Sequence, residues 1–472
     1  MTQYPTVSVI IVNYNGKHLM DDCLSSLLSV SYPKSKLEVI VVDNNSHDGS
    51  QSYIKENFPE VKLIISKDNS GFTGGNNLGF KHSKGEYIIL LNSDTKVEKN
   101  WLMPLVDTAK KNPKVGLINS KLMFHIPYVE ILIKSQITRK SMLDSSSIHT
   151  PLGVLAEDVI AEKNQQGEVW YAEGFYKTNK KGVKNIRWTK GEGRILLPVT
   201  PNKKNLFKFT LHGLPTKNNL STTIKIISNG KEIISDKLNS NQVEQYEVSL
   251  KPSEENLIWL VQNAGNLILK NGYSKDIGSI TRNNDDGVSE FYETNSSVFK
   301  KQHEILAVCG ASCLIKRKVI NEIGFLDGNY FMYYEDVDFS LRAWKMGWDI
   351  LFEPKSVVYH KHRATTGKTI SGFFLNMTER NHLAFLLTHF PISTYLSELM
   401  QFIKRTILTL LRYFYYNFKS DLDKRRKWEE FSSGRLKALK DTLKSFPNSF
   451  KNRIFWKKRE KRTFKQMRKF MY

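Results

Sequence analysis

Cysteine is scarce in this chain: there are three, Cys23, Cys309 and Cys313, in 472 residues. No CxxC pair occurs, so the chain holds neither a disulfide framework nor a zinc ribbon, and the three thiols fit ordinary burial in a reducing compartment. Long apolar runs are also missing. No stretch offers 18 uncharged apolar residues, so no membrane span is expected. Met1 to Thr6 leads straight into a strand-like run without a basic n-region and apolar h-region, so no secretory signal is expected. Neither GxGxxG after the first strand nor GxxxxGK[ST] is present, which disfavours dinucleotide and P-loop binding. Acidic residues are in deficit, with 47 Asp/Glu against 70 Lys/Arg and a formal net charge of +23. The last 52 residues hold 18 Lys/Arg against 6 Asp/Glu, so their net +12 is about half of that imbalance. The remainder is ordinary globular composition, 40% hydrophobic and 25% charged, in a chain long enough for two or three structural units.

What is present begins with repeated apolar runs that end in polar turns. Val7-Ser8-Val9-Ile10-Ile11-Val12 ends in Asn13-Tyr14-Asn15-Gly16. Glu38-Val39-Ile40-Val41-Val42 ends in Asp43-Asn44-Asn45, and Tyr87-Ile88-Ile89-Leu90-Leu91 ends in Asn92-Ser93-Asp94. Between these runs, apolar residues recur at helical spacing, as in Leu19, Leu24, Leu27 and Leu28. Buried strands alternating with helices predict an α/β fold with a parallel sheet covered on both faces. The three polar turns would then gather at the carboxyl edge of the sheet, where open α/β sheets bind ligands.

From about Phe124 the texture changes. Phe207, Phe209 and Leu211 alternate with polar neighbours, and Asn229-Gly230 is a strong hairpin signal. These features predict an all-β, sandwich-like insert over 125–286. Its Trp170, Tyr171, Trp188 and Trp259 suit a core, with stacking on sugar rings as the sharper alternative. The α/β pattern resumes over 287–390. Residues 391–472 read as an amphipathic, basic helical region, too charged to span a bilayer.

A second polar constellation lies beyond the insert. Glu335, Asp336 and Asp338 crowd three acids into four residues, and Val357-Val358-Tyr359-His360 delivers a histidine from an apolar run. Such acids repel one another unless a cation or a proton transfer uses them. Taken singly, Asp43 and Asp94 read as turn or N-cap residues, Asp338 as a helix-start acid, His360 as a structural histidine and His362 as surface.

In combination, these segments resemble family 2 glycosyltransferases of the GT-A fold, in the rhamnosyltransferase-like branch. The matching segments are VSVIIVNYNG (7–16), VIVVDNNSHDGS (39–50), NSGFTGGNNLGF (69–80), YIILLNSDT (87–95), CGASCLIKR (309–317), IGFLDGNYFMYYEDVDFSLR (323–342) and VVYHKH (357–362). They cover about 210 residues in the family's order. The resemblance implies a discontinuous GT-A domain, 1–124 with 287–390, and inverting transfer of a sugar from a UDP- or dTDP-sugar to an acceptor hydroxyl. It also implies a divalent cation, Mg²⁺ or Mn²⁺, held by Asp94 and His360, and a general base at Asp336 or its neighbour Glu335. Donor binding would fall to Asn13, Tyr14, Asp43, Asn44, Asn69, Gly75, Asn76, Asn92 and Ser93.

One departure is Asn92, which stands where the family's metal-binding DxD motif begins with a carboxylate. It keeps a rival open, a non-catalytic glycan-binding or assembly protein on a degenerate transferase scaffold. The expected acceptor is a glycan or lipid-linked molecule of cell-surface polysaccharide assembly. The basic C-terminal region suits anionic lipid headgroups better than nucleic acid, which implies a cytoplasmic protein peripheral to the inner face of the cell membrane.

Overall fold

The computed structural model describes residues 4–139, 151–162, 167–176, 179–181, 184–213, 221–284, 287–292, 297–361 and 371–471; His362 falls outside them. The chain divides into two compact units. One comprises Met1–Met123, Gln262–Ile277 and Ser297–Tyr472, and the other Phe124–Val261 with Gly278–Ser296. Gln262–Ile277, inside the stretch read from sequence as insert, therefore goes with the first unit.

The first unit is built on β1 (Val7–Asn13), β2 (Leu37–Asp43), β3 (Lys62–Ile65) and β4 (Tyr87–Asn92), which pair in the order β3-β2-β1-β4, all parallel. Each of β1, β2 and β4 is a β-branched or leucine run with almost no exposed surface. Residues such as Ile10, Ile11, Ile40 and Val41 are fully buried, each contributing about 1.5–3 kcal/mol relative to exposure. The helices α1 (Lys17–Leu28), α2 (Ser50–Asn57) and α3 (Gly71–Lys81) follow successive strands. Helix α1 buries Leu19, Met20, Cys23, Leu24 and Leu27, one face at helical spacing.

Beyond β4 the sheet is mixed rather than wholly parallel. The strand Ser312–Lys316 runs antiparallel to β4 on one side and to β6 (Val115–Phe124) on the other. The long strand Asp349–His360 lies next to β6 and also pairs antiparallel with the short β5 (Thr95–Val97), with His360 opposite Thr95. The reversal follows from connectivity. These strands return from a separate excursion of the chain and are not fed by a crossover helix from β4.

Three long helices end the unit: α7 (Gly372–His389), α8 (Ile392–Phe418) and α9 (Leu422–Arg459), with α4 (Leu102–Lys111), α5 (Arg317–Ile323) and α6 (Glu335–Lys345) preceding them. Ser371 caps α7 by accepting from Phe374 N, and Asp421 caps α9 by accepting from Lys424 N. Helix α7 is buried over most of its length. Gly434 of α9 and Gly372 of α7 allow the two backbones to touch, since a Cβ on Gly434 would overlap Gly372 main-chain atoms.

In the second unit the described strands pair antiparallel around the long strand Lys184–Pro198. The Asn229-Gly230 turn joins Thr222–Ser228 to Lys231–Leu238 as the sequence predicts, with φ of 48° and 74° at its two residues. The core contains Ile131, Ile133, Phe207, Phe209, Leu211 and Ile224. Two of the aromatics singled out from sequence are committed internally. Trp170 donates through Nε1 to the Tyr128 hydroxyl at 3.0 Å, and the Tyr171 ring stacks on the Arg187 guanidinium at 3.4 Å.

Candidate active site

The parallel register decides where the polar strand ends go. Asn13 lies opposite Asp43, and Val12 opposite Asn92, so Asn13-Tyr14, Asp43-Asn44 and Asn92-Ser93-Asp94 gather at one carboxyl edge. Their side chains then divide into two groups.

Asp43 is fully buried and faces inward. It accepts from Asn13 Nδ2 (3.0 Å), Ser46 N (2.9 Å) and Gln51 Nε2 (2.8 Å). Asn44 links β2 to the glycine-rich segment. Its Nδ2 donates to Asn69 Oδ1 (3.0 Å) and to the Gly71 carbonyl (2.9 Å), while its Oδ1 accepts from Ser70 N. Gly75 serves packing, because a Cβ there would stand 2.7 Å from Val12 Cγ1, and Asn76 donates within its own helix to Phe72 O. These residues brace the edge. Tyr14 is 44% exposed. The side chains of Asn92 and Ser93 make no hydrogen bond among the described residues, so they are free to meet a ligand.

Asp94 and His360, 266 positions apart, meet directly. His360 Nε2 is 3.0 Å from Asp94 Oδ1, and its Nδ1 is 2.8 Å from Gln262 Oε1. Both residues are about 6% exposed. An amide oxygen only accepts, so Nδ1 carries the proton and, in the neutral ring, the Nε2 lone pair faces the carboxylate. Two lone pairs at that distance are held together by a shared proton or by a cation. The donor set fits Mg²⁺ or Mn²⁺: one imidazole oriented through its other nitrogen, one carboxylate, and a separation close to the ~3 Å between neighbouring ligands of a small octahedral ion. No cluster of three or more His, Cys, Asp or Glu suited to a metal occurs among the described residues. Remaining ligands would have to come from elsewhere, such as a substrate.

The second constellation is built on a strained turn. Tyr333 and Tyr334 both have φ near 70°, in succession, immediately before α6. For non-glycine residues each such conformation costs about 1–3 kcal/mol and persists only where surroundings enforce it. Here the enforcement comes from α7: Asn381 Nδ2 donates to the Met332 and Tyr333 carbonyls, both at 2.8 Å, and Arg380 donates to Asn329 O. The turn leads directly into α6, whose first residues are Glu335 and Asp336. Asp336 accepts from Gly310 N and Val337 N, each 2.8 Å.

The two adjacent acids differ in their partners. Burial, with the Asp336 charge alongside, pushes the Glu335 carboxyl well above its ordinary range, and its Oε2 is buried with no hydrogen-bond partner. Burial also raises Asp336, but two backbone N–H donors favour its anion. Hydrogen bonds from the Gly310 and Val337 amides thus set Asp336 apart from Glu335. Asp338, read from sequence as a solvated helix-start acid, is instead buried at 2% exposure. It is bound to Arg342 at 2.7 Å and His389 at 2.8 Å. Burial opposes its charge, yet Arg342 and His389 outweigh that and hold its carboxyl below the usual range.

One stretch of main chain joins the two constellations. Asn92 N donates to Ala311 O at 2.9 Å, and the preceding Gly310 N donates to Asp336. The N-terminus of α3 closes the same gap, with Thr73 N donating to Phe331 O at 3.2 Å. Sequence reading missed Gln262, Gly310-Ala311 and Asn381. The segment Cys309–Cys313 stood out as a matching segment without a role, whereas neither Gln262 nor Asn381 carries any local signal.

Several known proteins are similar to this chain in sequence. Residues 8–123 match the family model described as glycosyl transferase family 2, and residues 269–417 match glycosyl transferase family group 2. The glycosyltransferase AglE of Haloferax volcanii is 32% identical over 126 residues, which are 26% of this chain and 41% of AglE. The poly-beta-1,6-N-acetyl-D-glucosamine synthase of Staphylococcus epidermidis is 30% identical over 119 residues, 25% of this chain and 28% of the synthase. The poly(ribitol-phosphate) beta-glucosyltransferase of Bacillus spizizenii is 28% identical over 189 residues, 34% of this chain and 29% of that enzyme. This chain thus spans less than half the length of each of these relatives. Among solved structures, the mannosyltransferase PcManGT of Pyrobaculum calidifontis, in complex with GDP-Man and Mn²⁺, aligns at TM-score 0.38 and 11% identity, over 95% of this chain and 88% of that one. The similarity is to glycosyltransferases throughout.

Proposed function

We propose that the chain is a GT-A glycosyltransferase of family 2 that moves a sugar from a nucleotide-diphosphate donor to an acceptor hydroxyl by a single, inverting displacement. The observation that carries the proposal is the Gly310-Ala311 bridge. It couples the strand edge bearing Asn92 and Asp94 to the turn bearing Asp336, so that residues on either side of a long excursion of the chain serve one site.

In this reading Asn92 and Ser93 offer uncommitted polar groups to the donor, and Asp43, Asn44 and Asn69 hold the edge in shape as positioning residues. Asp336 accepts the proton of the acceptor hydroxyl as that oxygen attacks the donor's anomeric carbon. The bond from that carbon to the nucleoside diphosphate breaks with its electron pair, and charge accumulates on the departing phosphate oxygens. Asp94 and His360 would hold a divalent cation, whose contribution is to neutralise that charge. Glu335, protonated, keeps a second negative charge away from the base. The acceptor is a hydroxyl of a glycan or lipid-linked molecule in surface polysaccharide assembly.

The test is transfer or hydrolysis with a panel of UDP- and dTDP-sugars, with and without Mg²⁺ or Mn²⁺. Asp336→Asn should lower turnover by about 10²–10⁴-fold, the usual contribution of a general base, with donor affinity retained. The second reading, a glycan-binding protein on a transferase scaffold, draws on Asn92. It prevails if wild type and Asp336→Asn are equally inert while both still bind donor.

A further inference from the structure

Helix α8 is apolar on two sides. Tyr395, Phe402, Thr406 and Thr409 are buried against the rest of its unit. Leu396, Met400, Ile407, Leu411, Phe414 and Phe418 are exposed, Phe418 at 91%. At about 100° per residue these six fall within a strip roughly 60° wide along the outer face, about 40 Å long with the whole helix. Helix α9 repeats the arrangement. Leu436, Leu443, Phe450 and Ile454 are exposed, Leu443 at 68%, and fall within about 40° of one another. Exposed Lys440, Lys444, Lys451 and Lys458 lie roughly 40–80° round the helix from that strip, along one edge of it. The tip joining the two helices concentrates both features: Phe418 and Leu422 are exposed beside Lys419, Lys424, Arg426 and Lys427. Arg412 over Trp428 and Lys424 over Tyr416 tie the hairpin together. No helix among the described residues is long and apolar enough to cross a membrane.

We infer that the α8–α9 hairpin docks in the plane of an anionic lipid surface, with its apolar strips in the acyl boundary and its lysines and arginines at the headgroups. Charge complementarity selects this occupant. A soluble monomer rarely exposes apolar strips of this extent, and one edged by a segment of net +12 matches the apolar-plus-basic pattern of interfacial helices. This inference stands apart from the catalytic proposal, because the surface contains none of the residues assigned to the site.

The experiment is co-sedimentation of the full chain with vesicles of phosphatidylcholine alone and of phosphatidylcholine with phosphatidylglycerol, with sedimentation velocity on the free protein. Wild type should bind the anionic vesicles at least about tenfold better than the neutral ones and lose that preference in high salt. The triple variant Leu411→Glu/Phe414→Glu/Phe418→Glu and the reversal Arg426→Glu/Lys427→Glu should each cut binding by about tenfold or more. Circular dichroism melts matching wild type would confirm that the variants fold, as expected for substitutions at exposed positions. The inference is overturned if wild type ignores anionic vesicles, or if it binds neutral and anionic vesicles alike and the triple variant changes nothing. It is equally overturned if wild type fails to bind vesicles and is a dimer that the triple variant turns into monomer, or binds a DNA duplex through the reversed residues instead. No sugar transfer is read, so a missing activity leaves the result intact.

Discussion

The two halves of the candidate site are held by opposite means. At the strand edge, Asn13, Asp43 and Asn44 are positioned by sheet register and by hydrogen bonds among neighbouring loops. No unusual backbone is required at those three residues. At the Tyr333-Tyr334 turn two successive residues sit in the left-handed region, and the enforcement comes from a helix some 50 residues further along the chain. The strand-edge turns place left-handed φ on Asn15 (51°) and Asn45 (67°), a residue type that tolerates it, whereas the turn before α6 forces it on two successive tyrosines.

Several substitutions would break or sharpen that contrast. The largest stability effect is expected beneath the turn, from Asp338→Asn. It leaves Arg342 buried beside a neutral partner and should cost about 3–5 kcal/mol, read as a shift of the denaturation midpoint. Because Asp338 titrates below its ordinary range, the loss should be full at every pH above about 3.9. It should shrink only as acid protonates Asp338 in the wild type.

Gly71→Ala attacks the contact between the halves. Gly71 has φ of 71°, and a Cβ there would overlap the Phe331 carbonyl. A destabilisation of about 2–4 kcal/mol is expected from the backbone cost and the clash together. Unchanged stability would mean that α3 and the turn are less closely packed than they stand here.

The most direct comparison pairs Asn44→Ala with Asn381→Ala. Each removes two donated hydrogen bonds, at about 1–3 kcal/mol, so their melts should be similar. Their kinetics should separate: Asn44→Ala should raise KM for the donor, and Asn381→Ala should lower kcat. A common effect on both constants would dissolve the distinction between the two halves.

The smallest effect belongs to Glu335→Gln, which removes a buried acid with a partnerless oxygen. An acid whose folded pKa is raised makes the wild type progressively less stable as pH climbs from the unfolded value, about 4.3, towards the folded one. The variant should therefore match wild type in acid and exceed it near neutrality, seen as a growing gap in Tm with pH.

Much of this was legible beforehand. The apolar runs ending in Asn13, Asp43 and Asn92 specified parallel strands and a shared edge, because period and termination are local properties of a strand. The hairpin at Asn229-Gly230 was equally local. The mixed sheet was not, since the direction of Ser312–Lys316 depends on what the chain does between it and β4. Nor was the burial of Asp338: three acids in four residues look alike in sequence, and only Arg342 and His389 distinguish the third from the others.

By itself, then, the sequence determined the strands, their polar ends, the basic C-terminal composition and the inventory of Asp94, Asp336 and His360. Tertiary structure decided which of these meet. It set Asp94 against His360 across 266 positions, separated Glu335 from Asp336 by turning the Gly310 amide onto Asp336 while leaving Glu335 Oε2 buried without a partner, and placed apolar residues of α8 on both its inner and its outer face. The physical reason is that pairing, burial and charge state are properties of surroundings, and those surroundings come from segments far apart along the chain.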